Sequence, residues 1–224
     1  MGKRGSAQRQ GDQETGKMTH SLRPSYYDVV PLAHVVVGVA MILFASPALA
    51  HSGTGLPGGF IAGVAHPLTG FDHLLAMVSV GLWGHFLQRP LIYLLPMVFP
   101  IMMAVGAGLG MVGFALPPVE LGIALSVVVL GALILGAVRA RVWLACVVVG
   151  IFALFHGYAH GIELPSAADP IGYSLGFVVA TGSLHVLGIA IGSLATLPRG
   201  ETFLRALGGL VFLIGLYFLQ AAWA

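Results

Sequence analysis

The apolar positions of this chain come in long blocks separated by short polar breaks. Residues 1–28 are polar and precede a short apolar run, Val35 to Ala45, that ends in Ser46-Pro47-Ala48-Leu49-Ala50. Beyond His51, apolar segments occupy about 59–86, 91–114, 119–138, 142–163, 171–197 and 203–222. Each is long enough for a helix to cross a hydrocarbon core of ~30 Å, which takes about 20 residues. The pattern predicts an all-α polytopic membrane protein with six transmembrane helices in the mature chain. Small residues recur four apart at Gly106/Gly110, Gly157/Gly161, Gly172/Gly176 and Gly188/Gly192, a spacing that lets helix backbones approach closely in lipid. Pro96 and Pro100 are expected to bend the second span.

Composition agrees with this picture. Hydrophobic residues make up 58% of the 224 positions and charged residues 8%, against about 25% charged in an ordinary soluble domain. Five of the ten basic residues precede position 51, so the slight positive charge belongs to the N-terminal segment and implies no nucleic-acid partner. The single cysteine, Cys146, excludes an internal disulfide framework and a cysteine-based zinc knuckle.

A basic n-region, an apolar h-region of about 7–15 residues and an Ala-x-Ala ending mark a secretory signal. Residues 1–50 therefore read as a polar leader plus signal peptide, cleaved after Ala50, with 51–224 as the transmembrane domain; an uncleaved anchor is the rival, and Met18 is an alternative start. Arg89, then Arg139 and Arg141, then Arg199 and Arg205 fall in the first, third and fifth connections, while the second and fourth carry Glu120, Glu163 and Asp169. The positive-inside rule makes the odd loops cytoplasmic and puts both mature termini on the outer, periplasmic side of the cytoplasmic membrane. No G-x-x-x-x-G-K-[ST] loop is present, so ATP hydrolysis by that route is excluded and no ATPase subunit is evident.

Ionisable side chains inside a span are costly and tend to mark ion paths or proton relays. Three groups stand out. On the first span are His66, Asp72 and His73; in a straight helix the two histidines lie roughly 10.5 Å apart along the axis, too far to share an ion. A break at Pro67 to Gly70, between them, would bring the three together. On the fourth span "FHGYAHGIE" places His156, His160 and Glu163 on one helical face. On the fifth, His185 shares a stripe with Thr181 and Ser174. Depth counted along straight helices predicts an outer layer of His66, His156, His160 and Glu163 and an inner layer of Asp72, His73 and His185, which helix tilt or unwinding at residues 67–70 would merge into one. His51, whose amine and imidazole would chelate together, and Met77, one turn beyond His73, are weaker metal candidates, and Met77 reads better as packing. His85 reads as interfacial, and Glu120, in the first turn of the third span, as helix-dipole stabilisation. Gly172-Tyr173-Ser174-Leu175-Gly176 matches the G-x-S-x-G pattern of serine hydrolases, but that motif needs a strand-to-helix elbow and lies here in a hydrophobic span.

On "HPLTGFDHLLAMVSVGLW" and "FHGYAHGIE", the chain resembles the HupE/UreJ family of nickel and cobalt permeases associated with hydrogenase and urease maturation. The resemblance implies a six-helix permease, not an enzyme, in which His66, Asp72, His73, His156, His160 and Glu163 serve transport. Its Ni2+ or Co2+ is cargo rather than a permanent cofactor. Side-chain chemistry alone is compatible: imidazole and carboxylate without thiolate suit nickel, cobalt or zinc better than copper(I), and ligand type does not choose among the three. The leading expectation is a secondary permease importing Ni2+ or Co2+. The alternative is an intramembrane zinc-dependent hydrolase built on the His156/His160 pair.

Overall fold

The structure, a computed structural model, describes residues 59–116, 118–163 and 169–223. The leader, the expected cleavage point and His51 lie outside the described residues, as does the side chain of Glu163. The described residues form helices and no strands: α1 (Phe60–Thr69), α2 (Phe71–Leu87), α3 (Leu91–Met111), α4 (Val119–Leu135), α5 (Val142–Glu163), α6 (Pro170–Gly192) with a 3₁₀ turn Ser193–Thr196, and α7 (Gly200–Trp223). Among the described residues, four stretches are long and apolar enough to cross a membrane: Leu91–Met111, Val142–Ile162, Pro170–Thr196 and Gly200–Trp223.

The first span expected over 59–86 is two helices, broken in the stretch 67–70 where the sequence offered a break. Pro67 lies within α1 and has no N–H for the carbonyl of Gly63. Gly70 then leaves helical geometry at φ −83°, ψ 105°, and its carbonyl accepts the amide of Leu74 to start α2. The third expected span is also shorter than read: α4 has 17 residues and ends at Gly136, where Ala137 takes a φ of 48°. α6 begins on a well-formed cap, in which the Asp169 carboxylate accepts the Gly172 amide at 2.9 Å with Pro170 in the first turn. That cap disposes of the hydrolase-like pattern, since Ser174 lies on a helix and its hydroxyl donates to the Pro170 carbonyl at 2.8 Å.

Helices pair tightly as α3 with α5, α4 with α7, and α6 with both α1 and α2. Glycines make these contacts. A methyl group at Gly157 or Gly161 would collide with the carbonyls of Met103 and Ala107 on α3, and one at Gly176 or Gly188 with those of Phe60 and Val78. Backbones in van der Waals contact are the main packing device in lipid, where no hydrophobic force draws helices together. The outward faces carry large apolar side chains such as Phe71, Ile101, Ile171, Leu213 and Trp223, as a lipid-facing surface requires.

Candidate metal-binding site

The site is assembled by α1, α2, α5 and α6. Because the chain breaks at Gly70, Asp72 falls in the first turn of α2, where the helix N-terminus favours negative charge. Its Oδ1 accepts both the backbone amide and the ring Nδ1–H of His73, each at 2.8 Å. A methyl group at Gly70 would stand 3.2 Å from both Asp72 Oδ1 and His73 Nδ1, so the glycine leaves room for this pair. In the neutral ring a proton on Nδ1 leaves Nε2 of His73 as a lone pair, and that atom is buried without a hydrogen-bond partner. Carboxylate to imidazole to metal is the usual way a ligating histidine is oriented and made more basic.

α5 repeats the device with a carbonyl. His156 is fully buried, and its Nδ1–H donates to the Phe152 carbonyl at 2.8 Å, so its Nε2 is likewise an unpaired lone pair. One turn further on, His160 has both ring nitrogens buried without a partner. A buried polar atom without a partner costs roughly 1–3 kcal/mol. The cost recurs here at neighbouring rings.

These rings sit together. The ring centres of His73 lie 4.9 Å from those of both His156 and His160, His66 lies 4.7 Å from His160, and His66 and His73 are 6.2 Å apart. Imidazoles that ligate one ion at about 2.1 Å hold their ring centres on the order of 5 Å apart, which is this spacing. Among the described residues, no three histidine, cysteine, aspartate or glutamate side chains already converge on one point; to hold an ion in common, the rings would have to turn.

The two layers read from depth are not what the structure builds. His73, assigned to the inner layer, touches His156 and His160 of the outer one, and the four rings form a single cluster. The reason is the break at Gly70, which invalidates depth counted along a straight first span. His185 stands apart: it is fully buried on α6, and the ring of Phe99 lies 5.1 Å from it and 5.7 Å from His156. Met77 is fully buried in the apolar core. His85, in the last turn of α2, faces a cavity of about 320 Å³ that Gln88, Arg139 and Glu201 also line, and Glu120 is exposed in the first turn of α4.

Sequence reasoning missed the aromatic wall. Phe177 lies 4.3 Å from His160 and 6.1 Å from His66, and Tyr173 lies 5.8 Å from His66. Tyr173 and Phe177 are one turn apart on α6, the only signal available, and it is shared by many residues of a lipid-facing block. A cavity of about 230 Å³ reaches His160 between Met103, Ala107, Tyr173 and Phe177, so the cluster is not sealed.

Fold and site together define a polytopic helical membrane protein with histidines and an aspartate gathered inside its bundle. Comparison with known sequences sharpens that class. The family described as HupE / UreJ protein matches residues 39–218, and the protein is 45% identical over 180 residues to Protein HupE of Rhizobium leguminosarum bv. viciae, a match covering 80% of this chain and 94% of that one. The chain belongs to the HupE/UreJ family. No solved structure matches it.

Proposed function

We propose that this protein is a secondary permease that carries Ni2+ or Co2+ into the cytoplasm and so supplies metal for hydrogenase or urease maturation. The observation that carries the reading is the apposition of His73, held by Asp72, to His156 and His160 on another helix. Three neighbouring rings whose buried nitrogens lack partners are costly unless a cation visits them. Their nitrogen and carboxylate chemistry suits nickel, cobalt or zinc, and the choice of nickel or cobalt rests on the family resemblance.

In this reading the broken α1–α2 unit and α3 to α7 make six crossings, with both mature termini outside and residues 1–50 removed as an export leader. His51 then becomes the first residue, ready to capture metal with its amine and imidazole. The intact mass of the purified protein checks this, and any residue retained before His51 contradicts it. Glu163, three residues beyond His160 in the sequence, is the further ligand expected at the outer end of the path. An inside-negative potential drives the ion inward by about 2.3 kcal/mol per elementary charge per 100 mV, and by twice that for a divalent ion. Nothing in the described geometry favours the hydrolase reading.

Uptake of radioactive nickel by cells expressing the protein tests the proposal. Accumulation above vector control that falls to background with His73→Ala supports it. Wild-type accumulation no greater than vector, at verified membrane expression, overturns it.

A further inference from the structure

Three hydroxyl groups along α6 behave differently. Ser174, exposed, and Ser183, half-buried, satisfy themselves by donating to the carbonyls one turn back, Pro170 at 2.8 Å and Val179 at 2.9 Å. This is the ordinary habit of serine and threonine in a membrane helix. Thr181, fully buried, makes no such bond, and its Oγ1 has no partner. One turn along the same face lies His185, fully buried, with both ring nitrogens unpaired. Two neighbouring side chains thus hold three buried polar atoms without partners, outside the histidine cluster.

Phe99 touches both groups. It is fully buried on α3, with its ring edge-to-face against His185 at 5.1 Å and 5.7 Å from His156. The turn that carries it is weakened. Pro100 has no N–H to give the Pro96 carbonyl and Pro96 none for the Ile92 carbonyl, so two helix hydrogen bonds one turn apart are missing, one of them spanning Phe99. On the other side of His185 the backbone is fixed, because a methyl group at Gly81 of α2 would collide with the His185 carbonyl.

We propose that His185 and Thr181 form a second, deeper binding position for a divalent transition-metal ion, and that the Phe99 ring is the partition an ion must pass to reach it from the histidine cluster. The inference rests on the permease reading. An imidazole nitrogen and a hydroxyl oxygen are a weaker ligand set than the cluster, which suits a position from which the ion must leave. An aromatic ring across the path keeps the two positions from being one continuous polar channel.

Initial rates of radioactive nickel uptake in cells, together with equilibrium dialysis of purified protein against Ni2+, test the proposal. The partition predicts effects of opposite sign: Phe99→Trp lowers the rate about tenfold while Ni2+ binding by the purified protein persists, and Phe99→Ala leaves the rate per folded molecule at or above wild type. The deeper site predicts that Thr181→Val, which keeps the shape and removes the oxygen, lowers the rate several-fold, and that His185→Ala reduces bound Ni2+ from two ions to one. Trp and Ala substitutions that lower uptake alike, in proportion to lost folded protein, overturn the partition in favour of packing. A single bound ion in wild type, or wild-type rates in Thr181→Val, overturns the deeper site. Either failure is distinct from failure of the permease reading, in which wild type itself accumulates no nickel.

Discussion

The α4–α7 pair and the α2–α5–α6 region are both buried in the same apolar bundle, yet they treat polar atoms in opposite ways. The buried apolar side chains of α4 and α7 are Ile123, Ala124, Val127, Leu130, Ile134, Leu204 and Val211, with glycines at the contacts between the two helices. The buried polar side chain there, Ser126, satisfies itself by donating to the Ile123 carbonyl at 2.6 Å. Across α2, α5 and α6, His73, His156, His160, Thr181 and His185 all hold buried nitrogen or oxygen atoms without partners. The first region shows what packing in lipid requires: small residues, apolar side chains and no unmet polar group. The second departs from that minimum at several adjacent positions. A chain that can pack α4 on α7 so cleanly has no structural need for the histidines.

The largest effect that would break this comparison is chemical. Asp72→Asn keeps the shape of the side chain but removes the charge and weakens the orientation of His73. Nickel uptake is expected to fall roughly 10- to 100-fold, the usual cost of losing such an orienting carboxylate, with membrane expression unchanged. Wild-type uptake in this variant would make Asp72 a helix-capping residue and no more.

The converse experiment targets the packing region. At Gly208 on α7 an added Cβ stands 2.6 Å from the Leu135 backbone nitrogen and 2.7 Å from the Ile134 side chain. Gly208→Val should destabilise the bundle by about 1–3 kcal/mol, as overpacking does. Thermal unfolding in detergent would report this as a lowered melting temperature, while uptake per folded molecule stays near wild type. A loss of transport without a loss of stability would show that the α4–α7 pair takes part in conduction.

Ser126→Ala gives the smallest expected effect. Hydrogen bonds between side chains and neighbours within membrane proteins average about 0.6 kcal/mol. A shift in melting temperature near the limit of detection and unchanged uptake are expected. A large loss of uptake would place Ser126 in the same functional category as Thr181.

The sequence carried the helices and the polar clusters plainly, because both stand out against an apolar background. Blocks of apolar residues located α3, α5, α6 and α7 to within a few residues, and the four-residue spacing of His156 and His160 put those two on one face. Pro67 and Gly70 also pointed to a break in the first span. The depth of each group was less legible, since straight-helix arithmetic assigns His73 to a different layer from His156, and the break at Gly70 brings their ring centres within 4.9 Å. Phe99, Tyr173 and Phe177 were not legible at all. An aromatic side chain inside a hydrophobic block has no contrast with its neighbours, and whether it meets lipid or a histidine depends on helix rotation, which α3 and α6 acquire only by packing on α5 and α1. The short α4 was misjudged for a related reason: hydropathy continues through Val138, but the helix ends at Gly136, where the chain turns.

Nickel K-edge X-ray absorption of the purified, Ni2+-loaded protein tests the central claim, that the histidine cluster takes the metal directly. The account predicts imidazole scattering from several rings with a first shell near 2.1 Å, reduced in His73→Ala and in His156→Ala. An oxygen-only shell matching the hydrated ion, unchanged by either substitution, would contradict it.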